Sequence, residues 1–411
     1  MKNLYLFALL CLVVAAHGAD MNTLSILVDE ALRQNPELKF YEAEIAAAKA
    51  NRKHVGTWAN PELSADGGRM RMVGDEGVAW SVSVMQPFEW PGRLGLRKAI
   101  ANGDIELAQI GLERFRVALT SRVRSAGYNV YAADQKARAV REVAERLRLL
   151  RDVLVQRDAA GITPLLETRV IEAMDISMQR KASEAAIQKQ IALFELNQLR
   201  GMPVSESLSV SAPSLKFLPA PDSEALRAAA LTNNFELRMR VVELSQSGLR
   251  VSLARNERFP RWSIGPQYSE QRVGDQERML LVGVSLPLPL WNRNAGNIGA
   301  AEAKQLQAET ALRVAQREVE RKVAEAAARY QAKVDEINKS RVNSIEHFRD
   351  AADLADRHYR LGAVPVATYI ELQKQYLDAV EALLETRKEA VDAAQELQLL
   401  TGMAQDLLQQ P

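Results

Sequence analysis

The sequence predicts a mainly α-helical chain with a membrane β-barrel part, built as two tandem repeats of helix, β-hairpin, long helix and helix. Three observations predict it. Short motifs recur in the same order about 200 residues apart, two segments alternate like hairpin strands, and two helical stretches are too long for a globular domain.

The chain opens with Lys2, then the apolar run Leu4 to Ala16, then Ala16-His17-Gly18. A charged start, a short apolar core and a small-x-small end make residues 1–18 a secretory signal peptide, with cleavage expected after Gly18 or Ala19. The run is shorter than the ~20 residues that a spanning helix needs. Cys11, the only cysteine, lies inside it behind Leu10, where a lipidation signal would carry a small residue. The mature chain then has no disulfide framework and no thiolate metal site. No later stretch reaches 18 apolar residues. An exported chain of this kind enters a membrane as a β-barrel. Its 53 Lys and Arg balance 52 Asp and Glu, which argues against a nucleic-acid partner, since phosphate binding needs a basic excess.

"EALRQNPEL" at 30–38 matches "AALTNNFEL" at 229–237, and Val73-Gly74-Asp75 matches Val273-Gly274-Asp275. Gly161 to Pro164 matches Gly362 to Pro365, and Gly201-Met202 matches Gly402-Met403. The repeats occupy 19–201 and 223–403, joined by a Ser- and Pro-rich linker at 202–222 and followed by a tail at 404–411. Each begins with a short helix, at 23–57 and 223–256. A hairpin follows at 61–88 and 260–288, then a long helix near 94–159 and 294–360, then a last helix near 164–200 and 365–401.

The hairpins alternate with period two. Val78, Trp80, Val82 and Val84 oppose Ala79, Ser81, Ser83 and Met85, and Leu280, Val282, Val284 and Leu286 oppose Met279, Leu281, Gly283 and Ser285. A sandwich in water gives a related pattern. Four strands of about ten residues with one apolar, aromatic face suit an outer-membrane barrel. Four strands cannot close one, and open edges are excluded in lipid, so strands are pooled across subunits. Pro87, Pro91, Pro287 and Pro289 mark the strand-to-helix junctions, because proline donates neither to a ladder nor within a helix. Asn292, Asn294 and Asn297 offer caps for the helix that follows.

The long helices carry coiled-coil spacing: Ile105, Leu112, Leu119 and Ala126 recur every seven residues, while Val143, Leu147, Leu150 and Leu154, and Val319, Val323, Ala326 and Tyr330, step by threes and fours. A narrow apolar seam with wide polar faces fits a solvated rod or a water-filled tube.

With "ALRQNPEL", "QPFEWPGR" at 86–93, "GITPLLETR" at 161–169 and above all "LPLPLWNRNAGNIGAAEAK" at 286–304, the mature chain resembles the TolC-like outer-membrane efflux proteins, in the branch of cobalt–zinc–cadmium resistance (CzcC-like) members. It departs from lipidated members in lacking their cysteine. The resemblance implies a homotrimer in the outer membrane of a Gram-negative bacterium, with a 12-stranded β-barrel continued by a 12-helix periplasmic α-barrel. It implies a passive exit duct for heavy-metal cations, of the cobalt–zinc–cadmium or the copper–silver class, joined by a periplasmic adaptor to an inner-membrane resistance-nodulation-division pump. No enzymatic activity and no cofactor are expected, and P-loop, nucleophile-elbow and zincin motifs are absent from the sequence.

Gly161, Ile162 and Thr163, with Leu361, Gly362, Ala363 and Val364, fall at the helix–helix turns that in the family dock onto the adaptor. Glu167 and Glu371 lie at spacings where relatives line the tip constriction, although Thr368 stands where the second repeat's counterpart of Glu167 would fall. A ring of carboxylates favours cations. The competing reading of both is a solvated helix face. His347, Asp350 and Asp353 share a helix face with Arg349 and Arg357, and no metal site is expected there. A duct for drugs or secreted proteins is the alternative function. An adaptor is a further one, but it would not need two amphipathic hairpins at matching offsets.

Overall fold

The computed structural model describes residues 23–72, 74–159, 165–211, 215–273, 275–339, 344–403 and 407–409. The signal segment with Cys11, and Gly161, Ile162 and Thr163, lie outside the described residues. The first repeat runs α1 (Leu24–Gln34), α2 (Glu37–Val55), β1 (Glu62–Met72), β2 (Asp75–Phe88), α3 (Arg93–Ala159) and α4 (Leu165–Arg200). After β3 (Lys216–Phe217), the second runs α5 (Ser223–Asn233), α6 (Phe235–Asn256), β4 (Trp262–Val273), β5 (Asp275–Ser285), α7 (Ala295–Lys339), α8 (Ser344–Arg360) and α9 (Val366–Thr401). β6 (Leu408–Gln409) pairs antiparallel with β3, so the tail meets the linker.

The opening helix of each repeat is two helices, not the single one the sequence predicts. The break falls at the asparagine of the recurring motif. Asn35 precedes Pro36, which disfavours helical backbone before it, and Asn35 is extended at φ −61°, ψ 122°. Its Oδ1 accepts from the Glu37 N–H at 2.8 Å and its Nδ2 donates to the Leu199 carbonyl at 2.9 Å. Asn234 repeats both bonds, accepting from Leu237 N–H at 3.2 Å and donating to Leu400 C=O at 2.8 Å. One side chain therefore starts a helix and ties it to the end of that repeat's last helix. At the same place in the first repeat, the buried Arg200 guanidinium bonds Glu30 at 2.7 Å and the Asn197 side chain at 2.9 Å.

α3 has 67 residues, about 100 Å of continuous helix. Its heptad positions Leu119 and Ala126 are buried while Ile105 and Leu112 are half-buried. Val143, Leu147, Leu150 and Leu154 join one core with Ile171 and Met178 of α4, Val323 and Tyr330 of α7, and Tyr369, Tyr376 and Val380 of α9. A second core gathers α1 against α3 and α4 through Leu27, Phe115, Leu119, Val123 and Leu196. The Tyr330 hydroxyl donates to the Leu218 carbonyl at 2.6 Å, and burial pushes it up to about 12.

Candidate functional site

The two hairpins form one antiparallel sheet in the order β1-β2-β4-β5. β2 meets β4 with Val78 opposite Arg272 and Val82 opposite Tyr268. Within this chain β1 and β5 are edges, so the sheet does not close on itself.

Residues paired across antiparallel strands share a face, so the register sorts the side chains. One face carries Leu63, Val82, Val84, Ile264, Tyr268, Leu280, Val282 and Val284. It lacks any cover: Leu280, Val282 and Leu63 are 78%, 73% and 72% exposed. Aromatic pairs bound this apolar band at both ends. Near the helices Phe88 stacks on Trp262 at 4.9 Å, with Trp58 edge-on at 5.5 Å. Near the hairpin tips Trp80 lies 5.3 Å from Tyr268. The eight steps from Trp80 to Phe88 span roughly 27 Å along the strand, close to the ~25 Å apolar belt of outer-membrane barrels.

The other face is small and polar, with Ser64 bonded to Ser83 at 2.7 Å, Ser81, Ser269, Gln267 and Gly283, together with Met279 and Leu281. The charges divide between the faces. Among the described side chains of these four strands, the polar face carries Glu62, Asp66, Asp275 and Glu277 and no base. All the arginines, Arg69, Arg71, Arg272 and Arg278, lie on the apolar face near the tips.

The strand-to-helix junction holds the repeats together. Pro87 sits in the last turn of the ladder opposite Ser263, and Pro91 lies just before α3. The Arg93 side chain is 4% exposed and bonds the Asn256 side chain at 3.0 Å, the Asn256 carbonyl at 3.1 Å and the Phe259 carbonyl. Trp90 packs on Phe259 and donates to the Pro260 carbonyl at 2.6 Å. Glu89 receives Arg93 and Arg97, each at 2.9 Å, and Arg261 at 2.8 Å. Burial works to raise the Glu89 carboxyl, and those three guanidinium groups outweigh it and hold it below its ordinary 4.5. Pro287 and Pro289 lie between β5 and α7 in a segment whose Leu288, Leu290 and Trp291 are exposed. There Asn294, at φ 60°, accepts from Asn297 at 2.7 Å, and its N–H donates to Asn292 Oδ1 at 2.9 Å.

At the far end, Leu361 to Val364 link α8 to α9. Gly362, at φ 72°, ends α8 in a Schellman motif: its N–H donates to Tyr359 C=O at 2.9 Å and that of Ala363 to His358 C=O at 2.8 Å. Leu361 is fully in the open at 80% exposure. Glu167, half-buried in the first turn of α4, accepts from the Tyr359 hydroxyl at 3.5 Å. Glu371 is exposed on α9 and bonds Gln375 one turn away at 3.0 Å. The structure thus ties Glu167 to α8 and leaves Glu371 on its own helix. On the His347 face, Asp353 pairs with Arg146 of α3, and Arg349 with Glu142 at 3.0 Å. Among the described residues no group of three or more His, Cys, Asp or Glu is placed to hold a metal ion.

Sequence reasoning missed the Asn35 and Asn234 ties, the Arg93 clasp and the charge division. The last was available by parity alone, by counting acids and bases at alternate positions of each strand.

The model of a family described as "Outer membrane efflux protein" matches residues 27–202 and 226–403. The nickel-cobalt-cadmium resistance protein NccC of Alcaligenes xylosoxydans xylosoxydans is 26% identical over 72% of this chain and 67% of its own length. The cobalt-zinc-cadmium resistance protein CzcC of Cupriavidus metallidurans is 24% identical over 70% and 68%. The pyoverdine export outer membrane protein OpmQ of Pseudomonas aeruginosa is 22% identical over 90% and 83%. Among solved structures, the Campylobacter jejuni CmeC outer membrane channel has a TM-score of 0.77 at 16% identity, covering 93% of this chain and 87% of that one, a likeness of fold.

Proposed function

The chain belongs to the outer membrane efflux protein family, and from that premise we propose that it is the outer-membrane exit duct of a tripartite heavy-metal efflux system. Three copies pool their strands into a 12-stranded barrel continued by a 12-helix periplasmic tunnel. The observation that carries this reading is the unclosed sheet with a bare apolar face. In water that face would be a large exposed patch, and in lipid its two open edges would leave backbone groups unpaired. Pairing β5 of one copy with β1 of the next resolves both. The apolar band then faces lipid and the Ser-, Gly- and acid-bearing face lines the lumen.

The duct is passive. The inner-membrane resistance-nodulation-division pump supplies the energy and a periplasmic adaptor joins the two. The adaptor contacts Leu361, Gly362, Ala363 and Val364, with Gly161, Ile162 and Thr163 from the first repeat's turn. Glu167 and Glu371 form the constriction, and Pro87, Pro91, Pro287 and Pro289 set the junctions between barrel and tunnel.

Cations of the nickel, cobalt, zinc and cadmium class are the cargo this reading favours. NccC and CzcC carry that class in their names, and among the described side chains the face assigned to the lumen holds four acids and no base in each chain. Fixed charge of one sign in a narrow aqueous passage concentrates counter-ions. OpmQ, a pyoverdine exporter by name, motivates the second reading, a duct for organic molecules. Deleting the gene and measuring tolerance separates them. Sensitivity to cobalt, zinc or cadmium, restored by the full chain, supports the first. Unchanged metal tolerance with lost export of an organic compound supports the second. Cross-linking native outer membranes tests the assembly, and a protein found only as monomers refutes it.

A further inference from the structure

We propose that the arginines at the distal end of the apolar face form a docking surface for the phosphate groups of outer-leaflet glycolipids. This rests on the reading of that face as the lipid-facing wall of a barrel.

The register places the arginines by depth. Arg278 stands one strand over from Tyr268 and two from Trp80, opposite Glu270 in the row that contains Trp80. The next row holds Arg69 and Arg272 on either side of Val78, and the row beyond holds Arg71 opposite Glu76. Successive rows on one face are two residues apart, about 7 Å, so all four lie within roughly 14 Å along the strand above the aromatic pair. Trp and Tyr on an outward face mark the boundary between hydrocarbon and headgroups. The arginines therefore begin at the depth of the headgroup phosphates.

Their charge is only half neutralised. Four arginines share this surface with two glutamates, a net of two positive charges per chain. Glu76 pairs with Arg71, while Glu270 serves both Arg272 at 2.7 Å and Arg278 at 3.7 Å. Glu270 is 6% exposed, committed further by Tyr268 and Gln276, whereas Arg272 and Arg278 are more than half exposed. Arg69 has no carboxylate partner among the described residues. Closing the sheet onto a second copy sets the β5 arginine beside the β1 arginines across the seam, which crowds like charges further.

Arginine, and no lysine, occupies these strands. The guanidinium fork bonds a phosphate through two parallel N–H groups, while an ammonium offers a point charge. A need for solubility alone would not confine every arginine to the face that also carries the apolar band, opposite a face with none. Phosphates at this depth relieve the repulsion and give each exposed fork a partner.

The full chain, purified as a trimer, is reconstituted into phosphatidylcholine vesicles with and without diphosphorylated lipid A, and the temperature at which the trimer dissociates is measured. Lipid A is expected to raise that midpoint, and a variant carrying R69Q, R71Q, R272Q and R278Q is expected to lose the rise. Its apparent affinity for lipid A should fall at least about tenfold, since each surface arginine contributes measurably to anionic-lipid attraction. Dephosphorylated lipid A should give no rise with either protein. The control pair D66N and E277Q, on the opposite face, should keep it. An equal rise in wild type and the quadruple variant, or an equal rise with dephosphorylated lipid A, overturns the proposal while leaving the barrel intact. A wild-type chain that stays monomeric and protease-sensitive in plain phosphatidylcholine overturns the barrel reading and this one with it.

Discussion

Two glycines in the same backbone motif offer a controlled comparison. Gly201 and Gly362 both end a helix at φ 72°, and both close a Schellman motif, with Met202 N–H on Asn197 C=O at 2.9 Å in the first case and Ala363 N–H on His358 C=O at 2.8 Å in the second. Alanine at either site must adopt left-handed backbone, which costs about 1–2 kcal/mol, offset by about 0.5–1 kcal/mol from a less flexible unfolded chain. Their surroundings differ. An added Cβ at 362 meets nothing within 4 Å, while at 201 it would stand 2.6 Å from the Gln34 carbonyl oxygen and 2.9 Å from its carbon. Backbone cannot swing aside as a side-chain end can, and overpacking of this kind costs about 1–3 kcal/mol more. Gly362→Ala should therefore destabilise the helical body by about 1 kcal/mol and Gly201→Ala by about 2–4 kcal/mol. Thermal or urea unfolding of the purified trimers, followed by helical circular dichroism, reads the difference. Equal losses would refute the reasoning, because they would mean that the end of α4 does not press on the end of α1.

Replacing Gly362 with Leu should leave the trimer folded, since the space beyond it is open, yet weaken adaptor cross-linking and metal tolerance together. Wild-type levels of both would remove Leu361 to Val364 from the adaptor contact. Glu167→Gln with Glu371→Gln should reduce cation selectivity and block by divalent ions in single-channel recordings, because charges away from the passage are screened within ~10 Å. Unaltered conduction would return both residues to a solvated helix face. Glu89 titrates below its ordinary 4.5 in the folded protein, so its stabilisation is complete above that value and is lost as pH falls through the folded one. Glu89→Gln should cost about 2 kcal/mol near neutral pH, and its unfolding midpoint should converge on wild type as pH falls through the lowered folded value. A gap that persists in acid would show that the lost contribution is not the carboxylate's charge.

Much of this molecule could be read from periodicity. Alternation in Val78 to Val84 and Leu280 to Leu286 marked one face of the sheet, and the threes and fours of Val143 to Leu154 marked the buried seam, because a repeating pattern survives any tertiary arrangement. The breaks at Asn35 and Asn234 did not show themselves in the same way. Each depends on a bond to a carbonyl some 165 residues away, Leu199 or Leu400, and local helical propensity on both sides hid the interruption. In the sequence Arg93 is one more charge at a helix start. Only the fold carries Asn256 and Phe259 to it and buries it. Glu167 and Glu371 stand at different distances from their turns, six residues after Gly161 and nine after Gly362, and in different surroundings, since one faces Tyr359 of α8 and the other its own helix.

The pairing of β2 with β4 joins Val78 to Arg272 across a sequence separation of 194 residues, 272 minus 78. Each hairpin forms locally, in microseconds, but drawing the two together from an unstructured chain would cost about 5 kcal/mol in loop closure. The native contacts of α3 with α6 and of Arg93 with Asn256 hold the hairpin stems side by side, so a helical body that docks first would lower that cost. The helices thus act as the template on which the sheet is assembled. Until they dock, each hairpin is an apolar ribbon with unpaired edges, which makes it a nucleus for misassociation.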